Sequence, residues 1–219
     1  MNKNMLANYN IIIFDCDGVI LDVNNLKSDA FGKVVSHYPA LVVESFVEHC
    51  RNTFGVSRYV KFEEFFTLFA KEPYNEKLYR KFLSDYAQLC QDIYTNANMT
   101  LGALELLTQL NFSNKKLYVA SGSDEKELNN AFAEKGLIKY FTKVYGSPKT
   151  KLECVENILK EYNKSEVVFI GDAISDMKAA NSVGIDFIYM TEYSVQSSAQ
   201  DIICKHGAKL VVNSLEELT

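Results

Sequence analysis

Two aspartates one residue apart, Asp15 and Asp17, follow the apolar run Ile11-Ile12-Ile13-Phe14 and precede Gly18. Carboxylates this close, at the mouth of an apolar segment, repel each other unless a cation or a proton holds them. The plain alternative is an acid-rich turn closed by glycine. Three later stretches share the form of an apolar run that ends in reactive groups. Lys116-Leu117-Tyr118-Val119-Ala120 leads into Ser121-Gly122-Ser123, and Lys143-Val144-Tyr145 leads through Gly146-Ser147-Pro148 to Lys149 and Lys151. Glu166-Val167-Val168-Phe169-Ile170 leads into Gly171-Asp172 and, four residues on, Asp176. Acids alone would suit only a metal ion. A lysine and a hydroxyl-glycine turn add a place for an anion beside it. Hard carboxylate oxygens with no histidine or cysteine alongside suit Mg2+, which keeps waters and often bridges to phosphate.

These groups can meet only if the apolar runs lie side by side. Four large apolar residues without polar alternation read as a fully buried strand. From residue 100 onward, strands alternate with helices. Thr150 with Glu153 has the form of a capping box, as does Asp124 with Glu127, whose helix Gly136 closes. Further strands are expected over 185–190 and 209–212. This alternation predicts an α/β, Rossmann-like parallel sheet with helices on both faces, and such sheets bind ligands beyond the carboxyl ends of their strands. Between the first strand and residue 95 the period changes. Residues 26–38, 40–53, 61–71 and 75–94 read as four helices, with Phe62, Phe65, Phe66 and Phe69 at helical steps and Pro39 and Pro73 in the gaps. The expected division is a core of residues 1–21 and 95–219, and a helical cap of residues 22–94. The phenylalanine stripe reads as cap core.

Composition narrows the function classes. A net charge of −5 with no basic run argues against nucleic acid or a membrane surface as partner. Five cysteines, odd in number and never spaced CxxC, read as reduced thiols in a cytoplasmic protein, not as a disulfide framework or a zinc site. Residues 1–10 carry no apolar stretch of the secretory kind, and no run approaches membrane-spanning length. Cys16 belongs to no cysteine-phosphatase loop, because the sixth residue beyond it is Asp22 and not arginine. It reads as a packed small side chain. His37, His49 and His206 are isolated.

Asp15-Cys16-Asp17-Gly18-Val19, Ser121, the Gly-Ser-Pro-x-x-Lys run ending at Lys151, and Gly171-Asp172-x-x-x-Asp176 resemble the four ordered motifs of the haloacid dehalogenase superfamily. The helical insert resembles the cap of its phosphoglycolate-phosphatase-like branch, and the resemblance covers essentially the whole chain. It implies Asp15 as nucleophile, forming an aspartyl-phosphate, and Asp17 as general acid and base. It implies Mg2+ held by Asp15, the Asp17 main-chain carbonyl and Asp172. Ser121 and the Gly122 amide would bind phosphoryl oxygens, with Lys151 beside them and Asp176 orienting Lys151 or a metal-bound water. Lys149 is the competing lysine, and the plain alternative for Asp176 is a solvated helix acid.

Relatives that cleave carbon–halogen or carbon–phosphorus bonds lack an acid at the position of Asp17, so the resemblance implies phosphate-ester chemistry. The expected activity is a phosphatase acting on a small phosphorylated metabolite, such as a sugar, sugar-acid, polyol or amino-alcohol phosphate. A link to carbohydrate biosynthesis rests on a faint likeness at Asn24, Lys27 and Gly55-Val56-Ser57-Arg58. A β-phosphoglucomutase-like mutase is the alternative, with a non-catalytic phosphate-binding domain third. Asn24, Lys27, Arg51 and Arg58 are the candidate substrate contacts from the cap, each weighed against an ordinary solvated role. A monomer or homodimer is expected.

Overall fold

The computed structural model describes residues 5–219. Residues 1–4, part of the stretch read for a leader, lie outside it. Six strands form one parallel sheet: β1 (Ile11–Phe14), β2 (Lys116–Asp124), β3 (Lys143–Ser147), β4 (Val167–Gly171), β5 (Asp186–Met190) and β6 (Leu210–Val212). Their order is β3-β2-β1-β4-β5-β6, the doubly wound arrangement in which chain direction across the sheet reverses beside β1. The expected α/β sheet is therefore the one observed.

Period-two alternation explains why β1 carries no polar residue. Ile12 and Phe14 join the core on one face, and Ile11 and Ile13 join the core on the other. Helices α5 (Ala103–Phe112) and α6 (Glu125–Glu134) pack on the first face. Helices α7 (Lys151–Leu159), α8 (Ile174–Val183) and α9 (Ser198–Gly207) contribute to the second.

Local signals set the helix starts. Thr150 and Glu153 form the reciprocal capping box that opens α7. Asp124 accepts from the amides of Lys126 and Glu127 at the start of α6, but Glu127 does not reciprocate, because its carboxylate is taken by Arg58. Helix α5 starts after Gly102, which takes a left-handed conformation. Helix α9 carries no strong sequence pattern and was not anticipated.

Between β1 and α5 lie α1 (Asn24–Val34), α2 (Ala40–Asn52), α3 (Arg58–Glu64) and α4 (Glu76–Asn96). Helix α3 begins three residues earlier than its periodicity suggests and runs into a π-helical turn, Phe65–Ala70. The wider turn lets the adjacent Phe65 and Phe66 both face inward. With Phe31, Phe46, Phe62, Phe82 and Tyr86 they form an aromatic cluster among these helices, as the stripe suggested.

The chain enters and leaves this helical insert along neighbouring segments. Leu21 bridges Met99, and the Asp22 amide donates to the Asn98 carbonyl at 3.0 Å. The insert lies over the carboxyl ends of the strands. The Ser175 hydroxyl donates to the Phe54 carbonyl (3.1 Å), Gln200 donates to the Asn52 carbonyl (2.7 Å), and Arg58 forks onto Glu127 (2.7 and 2.6 Å). All five thiols, Cys16, Cys50, Cys90, Cys154 and Cys204, are free and buried. No helix of the described residues is long and apolar enough to cross a membrane.

Candidate active site

Register decides which side chains meet. Phe14 pairs with Val119 on one side and with Ile170 on the other. The next residues of the central strands, Asp15, Ala120 and Gly171, are therefore level, and Ser121 and Asp172 come one step later. Asp15 and Asp172 flank the gap between β1 and β4, where a parallel sheet of this order leaves its crevice.

Asp15, Asp172 and Asp176 each bring one carboxylate oxygen within 4.8 Å of the others, and all three are buried. The Lys151 ammonium lies among them. It donates to Asp15 Oδ2 at 2.8 Å and also bonds Asp176 Oδ1. The second oxygen of Asp176 accepts from the Ala173 amide (3.0 Å), so Asp176 is fully engaged in holding Lys151 and the first turn of α8. Lys149 instead pairs with Glu125 (3.0 Å) at the surface.

One ammonium against three carboxylates leaves the cluster short of positive charge. Burial pushes the Asp15 carboxyl up to about 7 against the pull of Lys151, and Asp176 and Asp17 add to the rise. Burial, then Asp15 and Asp176, hold Asp172 well above the ordinary carboxylate range. Burial works against the charge of Lys151, but Asp15 and Asp176 keep it above its usual value.

Asp172 Oδ1 is buried and has no hydrogen-bond partner among the described residues, and the same is true of Asn24 Oδ1 beside it. A buried orphan oxygen in an electron-rich, all-oxygen cluster is what a hard divalent cation would satisfy. The residues present therefore fit Mg2+.

Gly18 makes this arrangement possible. It sits at φ +78°, and a Cβ there would lie 2.1 Å from Asn24 Nδ2 and 2.4 Å from Asp172 Oδ2. Asn24 donates to Asp172 Oδ2 at 2.6 Å and to the Tyr193 carbonyl at 2.8 Å. Gly18→Ala is expected to break this contact and to cost about 1–3 kcal/mol from the backbone conformation alone. Urea unfolding measures the cost, and a change below a few tenths would count against this role of Gly18.

Asp17 points away from the cluster. Its Oδ2 accepts from Lys27 (2.5 Å) and Ser123 (2.7 Å), and its Oδ1 accepts from Tyr94 (2.9 Å). Burial opposes its charge, yet Lys27 and the donors around it hold the carboxyl below its ordinary value. Asn24, Lys27 and Arg58 are buried, which removes the solvated reading for all three, whereas Arg51 forms a half-exposed pair with Asp29.

Three residues of the site went unread in the sequence: Tyr94, Ser123 and Lys61. Ser123 had a signal, since on an extended strand it shares a face with Ser121. Tyr94 continues the buried series Phe82, Tyr86 and Cys90 of α4.

A cavity of about 30 Å³ separates insert and sheet, lined by Asp15, Asp17, Ser121 and Gly122 below and by Lys27, Arg58 and Lys61 above. It has room for about two or three waters. Gly55 presses on Gly122 so closely that a Cβ on Gly122 would meet the Gly55 carbonyl at 2.1 Å.

Lys61 differs from the other cations of the site. It is fully buried, and burial brings its ammonium down to about 8, with Lys27 and Lys151 adding to the fall and Cys50 and Glu64 opposing it. The folded value lies below the unfolded one, about 10.4. The unfolded chain therefore binds more protons between these values, and stability rises with pH from about 8 to about 10.4. Lys61→Met should stabilise the protein at pH 7 by an amount of the order of 3 kcal/mol, and the advantage should shrink by pH 10. Denaturant melts at both pH values check this, and a pH-independent difference would contradict it.

A doubly wound sheet with a buried acid cluster that could hold a metal ion, and a buried lysine among those acids at its switch point, defines a Rossmann-like α/β protein. The chain belongs to the haloacid dehalogenase-like hydrolase family, whose sequence model matches residues 12–190. No curated protein matches the chain. Among solved structures, one described as a predicted phosphoglycolate phosphatase from Haemophilus somnus 129PT superposes with a TM-score of 0.80 at 15% identity, covering 96% of each chain. A β-phosphoglucomutase from Clostridium difficile gives 0.75 at 21% identity, covering 96% of this chain and 93% of its own. A predicted phosphatase from Clostridium acetobutylicum gives 0.73 at 20% identity over 96% of both. At these identities the likeness is one of fold.

Proposed function

We propose that this protein is a Mg2+-dependent phosphatase of small phosphomonoesters. The observation that carries the reading is Asp15, held by Lys151 at 2.8 Å and facing the same cavity as Ser121, Gly122 and Asp17. In this reading Asp15 attacks phosphorus in line. An Asp15–phosphoryl bond forms as the bond to the ester oxygen breaks.

Asp17 gives a proton to the departing oxygen. It then takes one from the water that attacks the aspartyl-phosphate, which returns Asp15 as a carboxylate and releases phosphate. A substrate entering between Asp17 and Lys27 separates them, and Asp17 without its cation regains affinity for the proton it must donate. The Ser121 hydroxyl, the Gly122 amide and Lys151 receive the phosphoryl oxygens. Asp15, Asp172 and the Asp17 main-chain carbonyl would hold Mg2+, with Asp176 keeping Lys151 in place. Bound there, the ion would offset the repulsion between carboxylate and phosphate.

The cavity is too small for an ester, so the insert must part from the sheet to admit one and close again to exclude water. Phosphate release from a panel of small phosphomonoesters, with and without Mg2+, tests the reading. Metal-dependent release supports it. Isomerisation of a sugar phosphate with little free phosphate would assign the mutase activity instead, and no turnover by folded protein would leave phosphate binding as the function.

A further inference from the structure

We propose that Lys61 reads the leaving group of the substrate, and that this leaving group carries a small anion of carboxylate size. The inference rests on the phosphatase reading and adds to it the chemical class of the ester.

The argument starts from charge pairing. Four buried cations stand at the site, and three are already neutralised: Lys151 by Asp15 and Asp176, Lys27 by Asp17, and Arg58 by a two-pronged contact with Glu127. Lys61 is the fourth. Its side chain donates to the Cys50 carbonyl at 3.0 Å, which uses one of three ammonium hydrogens. No carboxylate of the described residues forms an ion pair with it. Glu64, one turn on in the same helix, bonds His49 instead.

The surroundings of Lys61 are otherwise aromatic. Its Nζ lies 5.0 Å from the Phe31 ring centre and 5.5 Å from that of Phe54. Both rings line the cavity that Asp15 and Ser121 line from below. Such rings offset part of the desolvation of an ammonium, but they do not replace a counter-ion. A fold that keeps an unpaired lysine at the wall of its own active cavity does so at a cost in stability, which marks a site kept for function. A bound anion would complete it.

Position settles which part of the substrate is read. The phosphoryl group belongs at Asp15, Lys151 and Ser121, on the sheet side. Lys61 is carried by α3 on the opposite wall, so it faces whatever is esterified to the phosphate.

The test compares two esters of equal length, 3-phosphooxypropanoate and 3-hydroxypropyl phosphate, on the wild type, Lys61→Met and Lys61→Arg. The wild type should favour the carboxylate ester in kcat/KM by about tenfold or more, the usual worth of a buried hydrogen bond to a charged group. Lys61→Met should lose most of that ratio, and Lys61→Arg should keep part of it. Equal turnover of both esters by the wild type, or an unchanged ratio in Lys61→Met, overturns the proposal.

Binding separates this failure from that of the phosphatase reading. With Mg2+ present, 3-phosphonopropanoate should raise the melting temperature of the wild type more than 3-hydroxypropylphosphonate does, and Lys61→Met should erase the difference. That result supports the anion site even if no ester is hydrolysed. No difference between the phosphonates in the wild type refutes it even if esters are turned over.

Discussion

Asparagine in place of Asp15 is expected to lower Mg2+-dependent phosphate release by about 10,000-fold or more, because removal of an attacking group costs a reaction its covalent path. The substitution is nearly isosteric, so packing around β1 is kept. Asparagine keeps one acceptor oxygen where Asp15 offers two, to Lys151 and to the Cys16 amide, so one of these bonds survives, and Lys151 retains Asp176. What disappears is the anionic oxygen that attacks phosphorus. The melting temperature should stay close to that of the wild type, which separates lost chemistry from lost fold. A folded Asp15→Asn protein that retains a tenth of the activity would remove Asp15 from the nucleophile's role and turn attention to direct attack by water.

The second large effect concerns Lys27 and Asp17. Both side chains are about 5% exposed, and they meet at 2.5 Å with Ser123 and Tyr94 completing the shell. Removing one partner of such a pair leaves the other buried and uncompensated, which costs about 3–5 kcal/mol. Lys27→Met should therefore unfold at markedly lower denaturant. The double variant Asp17→Asn with Lys27→Met should regain most of that loss, since no lone charge then remains, whereas independent sites would simply add their costs. Equal stability of Lys27→Met and wild type would mean that the pair is not formed in solution. The pair also ties the insert to the sheet, because Lys27 belongs to α1 and Asp17 to the loop after β1. Its loss should loosen the closed arrangement as well as weaken the fold.

How much of this was legible beforehand follows the range of the forces involved. The sheet was readable because a buried parallel strand has a purely local signature, as in Ile11 to Phe14, and because capping groups such as Thr150 and Glu153 act within one turn. The reactive residues at the strand ends were readable because strand pairing needs no side-chain detail to align them. Lys61 and Tyr94 were not. Tyr94 and Lys61 reach the cavity only through the way α3 and α4 pack on the sheet, and no local pattern encodes that docking. The same holds for the pairing of Arg58, a candidate substrate contact that lines the cavity, with Glu127, 69 residues away. The π-helical turn escaped because Phe65, Phe66 and Phe69 satisfy an ordinary helical period just as well.

The five buried thiols have an experimental use. Cys50 and Cys90 lie in the insert, Cys16 lies in the loop beside Asp15, and Cys154 and Cys204 lie under the far face of the sheet. Burial raises each above an ordinary thiol, so none is a ready thiolate while it stays covered. A disulfide-exchange reagent therefore waits for the protein to expose them, and its rate becomes a clock for local opening. Mass analysis of the labelled peptides would time insert and sheet separately, in one native sample, with no dye or engineered probe. A ligand that clamps the insert should slow the clocks at Cys50 and Cys90, and leave those at Cys154 and Cys204 running at the pace of global unfolding.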